Sequence, residues 1–116
     1  MQNDILYHII GSKIIDSKVN HISESTKKIY LESGIVDSLI QLASADFKKG
    51  ERVEPHFHET MTEVFYIVSG EMEVTLGNKS FLTSLGDVII AKSKIVHSFR
   101  FKEDTKLVYF GLEDYS

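Results

Sequence analysis

The clearest pattern in the chain is an alternation of period two. Met72, Val74 and Leu76 are separated by Glu73 and Thr75, which predicts a strand with one buried face. Gly77-Asn78 follows as a two-residue hairpin turn of residues that tolerate positive φ. Ser80 to Thr83 then returns, Gly86-Asp87 makes another turn, and Val88 to Ala91 forms a short apolar strand. Ile95, His97, Phe99 and Phe101 share one face of the next strand, with Val96, Ser98 and Arg100 on the other. A last strand, Lys106 to Leu112, closes the chain. Upstream, Lys28 to Glu32 reads as a strand ending at Ser33-Gly34. Residues 37 to 47 are ambiguous, because Ile35, Leu39, Leu42 and Ala43 fit a helical spacing while the run is short enough for a buried strand. Its direct continuation into the Gly50 turn favours the strand. Many short strands with frequent turns and little helix predict an all-β sandwich or barrel.

Val64 to Val68 departs from the alternation, being apolar at every position. A strand with one wet face would alternate. One face must therefore line the interior, and the other needs a cover, which predicts a homodimer formed partly through this sheet. Residues 3 to 25 are the least patterned. Ile5, Leu6, Ile9 and Ile10 suit a short helix or a strand, and His8 and His21 sit among polar neighbours as exposed or partly packed side chains.

Candidate chemistry concentrates between Gly50 and Gly70. His56, His58 and Glu63 fall within eight positions. On a strand His56 and His58 project to one face and Phe57 to the other. Glu63 opens the apolar run, which reads as the return strand of a hairpin. Two imidazoles and a carboxylate would then converge on one point, an arrangement that suits a transition-metal ion.

Composition narrows the possibilities. The 116 residues fit a single domain, with 42% hydrophobic and 26% charged residues, both ordinary for a globular protein. A formal charge of −4 argues against nucleic acid or an anionic membrane surface as the main partner. There is no cysteine, so any metal must be held by nitrogen and oxygen. The N-terminus lacks the basic start and apolar core of a secretory signal, and no apolar run is long enough to span a bilayer. Cytoplasmic residence is the expectation.

The spacing Gly50, five residues, His56-x-His58, four residues, Glu63, six residues, Gly70 resembles the first motif of the cupin superfamily at every fixed position. Fifteen residues separate Gly70 from Gly86, and His97 occupies the histidine position of the second motif. Lys92, Lys94 and Phe101 stand where that motif usually has proline, glycine and asparagine. Those three positions shape the loop and do not bind metal. The resemblance implies a small single-domain cupin, a jelly-roll barrel (double-stranded β-helix) over residues 1–116. It also implies a metal ion held by His56, His58, Glu63 and His97, and residues 1–25 as an arm that can be exchanged between subunits.

Three neutral imidazoles and one carboxylate fill four positions of an octahedron and leave two for water, oxygen or a chelating substrate. The set suits iron(II), manganese, nickel, cobalt, copper or zinc. Two function classes follow. One is a metal-dependent enzyme on a small oxygen-bearing molecule, either a dioxygenase or an isomerase, epimerase or cyclase. The other is a non-catalytic module that binds or senses a small ligand. An inward polar side chain on a strand that carries no ligand would favour the enzyme. Gln41 and Tyr109 can reach the interior for that purpose, or merely pack. Phe57, Phe65, Phe99 and Phe101 read as core and barrel lining, Arg52 and Glu54 as surface, and Lys27-Lys28 and Lys48-Lys49 as solvated turn residues.

Overall fold

The computed structural model describes residues 15–18 and 26–116. Among these residues ten strands form in chain order: β1 (Ile15–Lys18), β2 (Thr26–Leu31), β3 (Leu39–Phe47), β4 (Arg52–His56), β5 (Met61–Ser69), β6 (Glu71–Leu76), β7 (Lys79–Ser84), β8 (Val88–Ala91), β9 (His97–Phe101) and β10 (Thr105–Glu113). They make two antiparallel sheets, one ordered β1-β2-β3-β10-β5-β8 and the other β4-β9-β6-β7. The two sheets face each other as a jelly-roll, the all-β barrel expected. No helix among the described residues is long and apolar enough to cross a membrane. The expectations for an exchanged arm and for His8 and His21 lie outside the described residues.

The ambiguous 37–47 segment is strand β3. Pairing with β10 on one side and β2 on the other overrides the helical spacing, and Ala43 and Ala45 point inward with exposures of 0% and 2%. Ile35 precedes the strand and stays exposed. One expectation fails: β4 and β5 are not a hairpin. β4 pairs with β9, whereas β5 pairs with β10 and β8, so the two histidines and the glutamate approach each other from opposite sheets. The four residues between β4 and β5 cross the barrel instead of turning back.

Period-two alternation gives each strand an inward series, and the series run in parallel from an apolar end to a polar one. On β9 the order is Phe101, Phe99, His97; on β5 it is Ile67, Phe65, Glu63; on β3 it is Phe47, Ala45, Ala43, Gln41. At the apolar end Phe47 stacks on Phe101, with ring centroids 4.1 Å apart. Phe65 meets Phe99 edge to face at 4.9 Å. Ile67, Met72, Val74 and Leu107 complete this core. Each of these large side chains contributes about 2–3 kcal/mol by leaving water, so the apolar end carries the stability and frees the other end for chemistry.

The outer face of the six-stranded sheet is apolar across β8, β5 and β10 as well. Val64 pairs with Ile90 and Phe110, and Tyr66 with Val88 and Val108. Tyr66, Val88 and Ile90 are 46%, 58% and 53% exposed. The double-sided apolar pattern of β5 thus corresponds to one packed face and one face open in the single chain.

Gly70 sets the turn between β5 and β6. Its φ is +100°, and a Cβ there would collide with the Asp104 carbonyl and the Thr105 hydroxyl and would stand 2.6 Å from Thr105 Cα. This approach lets the buried Thr105 hydroxyl accept from Glu71 N at 3.2 Å. Gly70→Ala should therefore destabilise the fold by about 1–3 kcal/mol or more, read as a lowered urea midpoint with an unchanged slope. A midpoint equal to wild type would refute the close approach.

Candidate metal centre

β4 delivers His56 at its last position, and His58 follows two residues later in the crossing segment. Phe57, between them, points outward and is 49% exposed, so it lines neither core nor cavity. His97 begins β9 directly opposite His56 on one side and Leu76 on the other. Glu63 comes from the facing sheet, third on β5. One donor atom from each of His56, His58, Glu63 and His97 lies within 4.8 Å of all the others. The four expected residues are thus brought together.

Second contacts aim the rings. His56 Nδ1 lies 2.8 Å from the Glu54 carbonyl and His97 Nδ1 lies 3.1 Å from the Ile95 carbonyl. A carbonyl only accepts, so both Nδ1 atoms carry protons and both Nε2 atoms turn inward. His97 is 1% exposed, and its Nε2 has no hydrogen bond. That atom stands 3.3 Å from Glu63 Oε1, and His58 Nε2 stands 3.1 Å from the same oxygen. Such contacts are attractive only with positive charge between them, from a ring proton or a metal ion. Burial pushes the Glu63 carboxyl up, but the hydrogen-bonded His58 ring and the adjacent His97 ring bring it down to about 2. Glu63 is an anion, and a buried anion beside an unpartnered imidazole nitrogen fits a divalent ion.

The loop before His97 departs from the cupin motif in sequence and keeps a turn in structure. Lys94, in place of the usual glycine, adopts φ +71°. Its N–H donates to the His58 carbonyl at 2.7 Å, and Ile95 N–H donates to Lys92 O at 3.1 Å. The left-handed backbone, costly for a lysine by about 1–2 kcal/mol, ties the His58 segment to the His97 loop.

A cavity of about 240 Å³ opens beside the four donors. Phe65, Phe99, Leu107 and Met61 form much of its wall. Gln41 from β3 and Tyr109 from β10 both line it, as their inward positions allow. Burial, and then the charge of Glu63, push the Tyr109 hydroxyl well above its ordinary range, so it remains a proton donor. Lys27 corrects the sequence reading. It lies on β2 rather than in a turn, lines the cavity half-buried, and donates to Gln41 Oε1 at 3.2 Å. The adjacent Lys28, Lys48 and Lys49 are exposed as expected, and Arg52 pairs with Glu54 at 3.1 Å on the surface. Lysine pairs look alike in sequence; only the alternation T-K-K-I-Y carried forward from β2 distinguishes the inward Lys27 from the outward Lys28.

Comparison with known proteins agrees with this geometry. Residues 43–112, more than half of the chain, match the cupin domain. The chain belongs to the cupin family. It is 32% identical over 73 residues to quercetin 2,3-dioxygenase of Bacillus subtilis, a match covering 62% of this chain and 22% of that protein. It is 36% identical over 63 residues to germin-like protein subfamily 2 member 2 of Arabidopsis thaliana, covering 50% of this chain and 29% of that one. The aligned region thus spans less than a third of either curated relative. Among solved cupin folds, a predicted oxalate decarboxylase of Thermotoga maritima superposes with a TM-score of 0.78 at 21% identity, covering 92% of this chain and 99% of that one.

The two ends of the donor set should respond differently to truncation. His58→Ala, at a side chain 26% exposed, should abolish metal uptake in elemental analysis while shifting stability by no more than about 1 kcal/mol. His97→Ala should abolish uptake and also cost about 2–4 kcal/mol in chemical unfolding, because it empties a sealed site. Full metal occupancy in the His58→Ala protein would defeat the ligand assignment.

Proposed function

We propose that this cupin is a metal-dependent enzyme acting on a small oxygen-bearing molecule, with His56, His58, Glu63 and His97 holding a divalent transition-metal ion. The observation that carries the reading is the unpartnered, buried Nε2 of His97 facing the Glu63 carboxylate at the edge of a cavity. A bound ion of this class supplies Lewis acidity and, where it is redox-active, oxygen chemistry. The surrounding residues supply position and protons. The apolar wall of Phe65, Phe99 and Leu107 excludes water and strengthens polar contacts in the site. The Tyr109 hydroxyl, kept protonated, donates a hydrogen bond to a substrate oxygen as negative charge develops there. Gln41 offers a neutral donor and acceptor from a third strand. These side chains on strands that carry no ligand favour an enzyme over a simple binding module. The likeness to quercetin 2,3-dioxygenase supports a dioxygenase reaction as the first to test; isomerisation, epimerisation or cyclisation would use the same polarising site.

The open apolar face across β8, β5 and β10 supports a homodimer, with a second copy covering Val64, Tyr66, Val88 and Ile90. Exposed apolar patches of this continuity are uncommon on monomers, and matching copies of one sheet face satisfy a two-fold interface.

Iron-loaded protein should consume oxygen with at least one member of a panel of diols, dicarbonyls and thiols. Tyr109→Phe should lower that turnover about 100-fold with metal content unchanged. Silence across the panel together with tight binding of one compound would replace the enzyme by a binding module. In light scattering the chain should elute as a dimer and Ile90→Asp as a folded monomer; a monomeric wild type would remove the second copy from the account.

A further inference from the structure

The cavity contains a charge that the metal reading leaves unused. Lys27 is half-buried at the cavity wall, and its ammonium has Gln41 Oε1 as its partner, with no carboxylate among the described residues. Lysines ordinarily carry the ammonium out to water along a flexible stem. Directing it instead at a neutral amide inside a pocket leaves the charge poorly compensated. Among the described residues Glu63 is the only acidic one lining the cavity, and it belongs to the donor set. A divalent ion there would leave the occupied cavity net positive.

One cavity joins the two charged regions. Gln41 on β3, Gly111 on β10 and Glu63 on β5 lie in one row across adjacent strands. The middle position has no side chain, and a Cβ there would run into the Met61 sulfur. At about 4.8 Å per strand, Gln41 and Glu63 backbones stand about 10 Å apart. Their side chains reach into the intervening space, which is floored by Gly111 and walled by Ile40, Met61 and Leu107.

We propose that Lys27 and Gln41 form an anion-binding subsite across the cavity from the metal donors. The ligand is then a short organic acid, with a chelating oxygen pair at the ion and a distal carboxylate on Lys27. This rests on the metal reading above and adds the substrate's charge and length. Lys27 supplies a charge-assisted hydrogen bond, and Gln41 orients the ammonium through its carbonyl while its amide donates to the second carboxylate oxygen. The cavity that Lys27, Gln41 and the donors all line holds the connecting carbons. A two-carbon diacid is too short to reach both ends.

The test compares two acids on zinc-loaded protein by titration calorimetry. 2-Oxoglutarate and 2-oxopentanoate share the chelating end and the five-carbon chain, and only the first has the distal carboxylate. Wild type should bind 2-oxoglutarate about 10- to 100-fold more tightly. Lys27→Met should bring the two affinities together without changing the 2-oxopentanoate value or the zinc content, and Lys27→Arg should restore most of the difference. Lys27→Gln replaces Lys27→Met if the latter fails to fold by circular dichroism. Equal affinities in wild type, binding of neither acid, or a preference that survives loss of the lysine charge would each overturn the subsite. Zinc stoichiometry separates the two readings: failure to take up zinc overturns the metal centre and this inference with it, whereas normal uptake without discrimination overturns the subsite alone.

Discussion

His97 Nε2 and Glu63 Oε1 face each other at 3.3 Å in an interior where water is scarce. His97 donates through Nδ1 to the Ile95 carbonyl, which turns Nε2 toward the carboxylate. A carboxylate oxygen and an imidazole nitrogen held this way attract only where positive charge lies between them, from a ring proton or a metal ion. Removing both would be cheap in a well-packed barrel, since replacing buried ionic groups with apolar ones is often neutral or stabilising. Their presence is therefore a cost to folding, offset by the core at the opposite end. The division of the barrel into a stabilising end and a chemical end follows from that imbalance.

Apart from His58 and the Lys94 turn that holds its segment, the division is achieved by the strands themselves. Antiparallel pairing with a repeat of two sends every second residue inward, so the position along the strand alone decides whether a side chain joins the core or the site. His97 and Phe101 are on the same face of the same strand, four residues apart, and meet wholly different surroundings. Because β9 and β5 belong to different sheets, the distance between His97 and Glu63 depends on how far the sheets stand apart. The ring packing of Phe65 against Phe99 spans that gap just below the donors. A change in core volume there would alter metal geometry without touching a ligand.

Strand periodicity was the legible part of the sequence. Met72, Val74, Leu76 and the Gly77-Asn78 turn fell where alternation and turn chemistry placed them, and β3 was resolved as a strand from its context beside Gly50. That His56, His58, Glu63 and His97 would converge was legible from spacing, because that pattern demands local order. What the sequence withheld was which strands are neighbours. Proximity along the chain suggested a hairpin from His56 to Glu63, yet β4 and β5 diverge into separate sheets, since pairing is set by long-range contacts that no local window contains. The same limit hid Lys27. Its inward orientation depends on the register of β2 against β3, where a slip of one residue would exchange it with Lys28.

β5 joins the two halves of the functional argument. It carries Glu63 inward at one end, and it lies between β10 and the short edge strand β8. β8 has four residues and an exposed apolar outer face at Val88 and Ile90. An edge of that kind has neighbours on one side only, so by itself it restrains β5 weakly, and the position of a ligating carboxylate tolerates little movement. A second copy laid across β8 and β5 would immobilise the strand from behind while leaving the cavity on the other face free. In such a dimer the apolar outer positions of β5 would serve the metal centre as directly as the inner ones: the inner side chains set the distance to the facing sheet, and the outer ones would fix the strand that holds Glu63 in place.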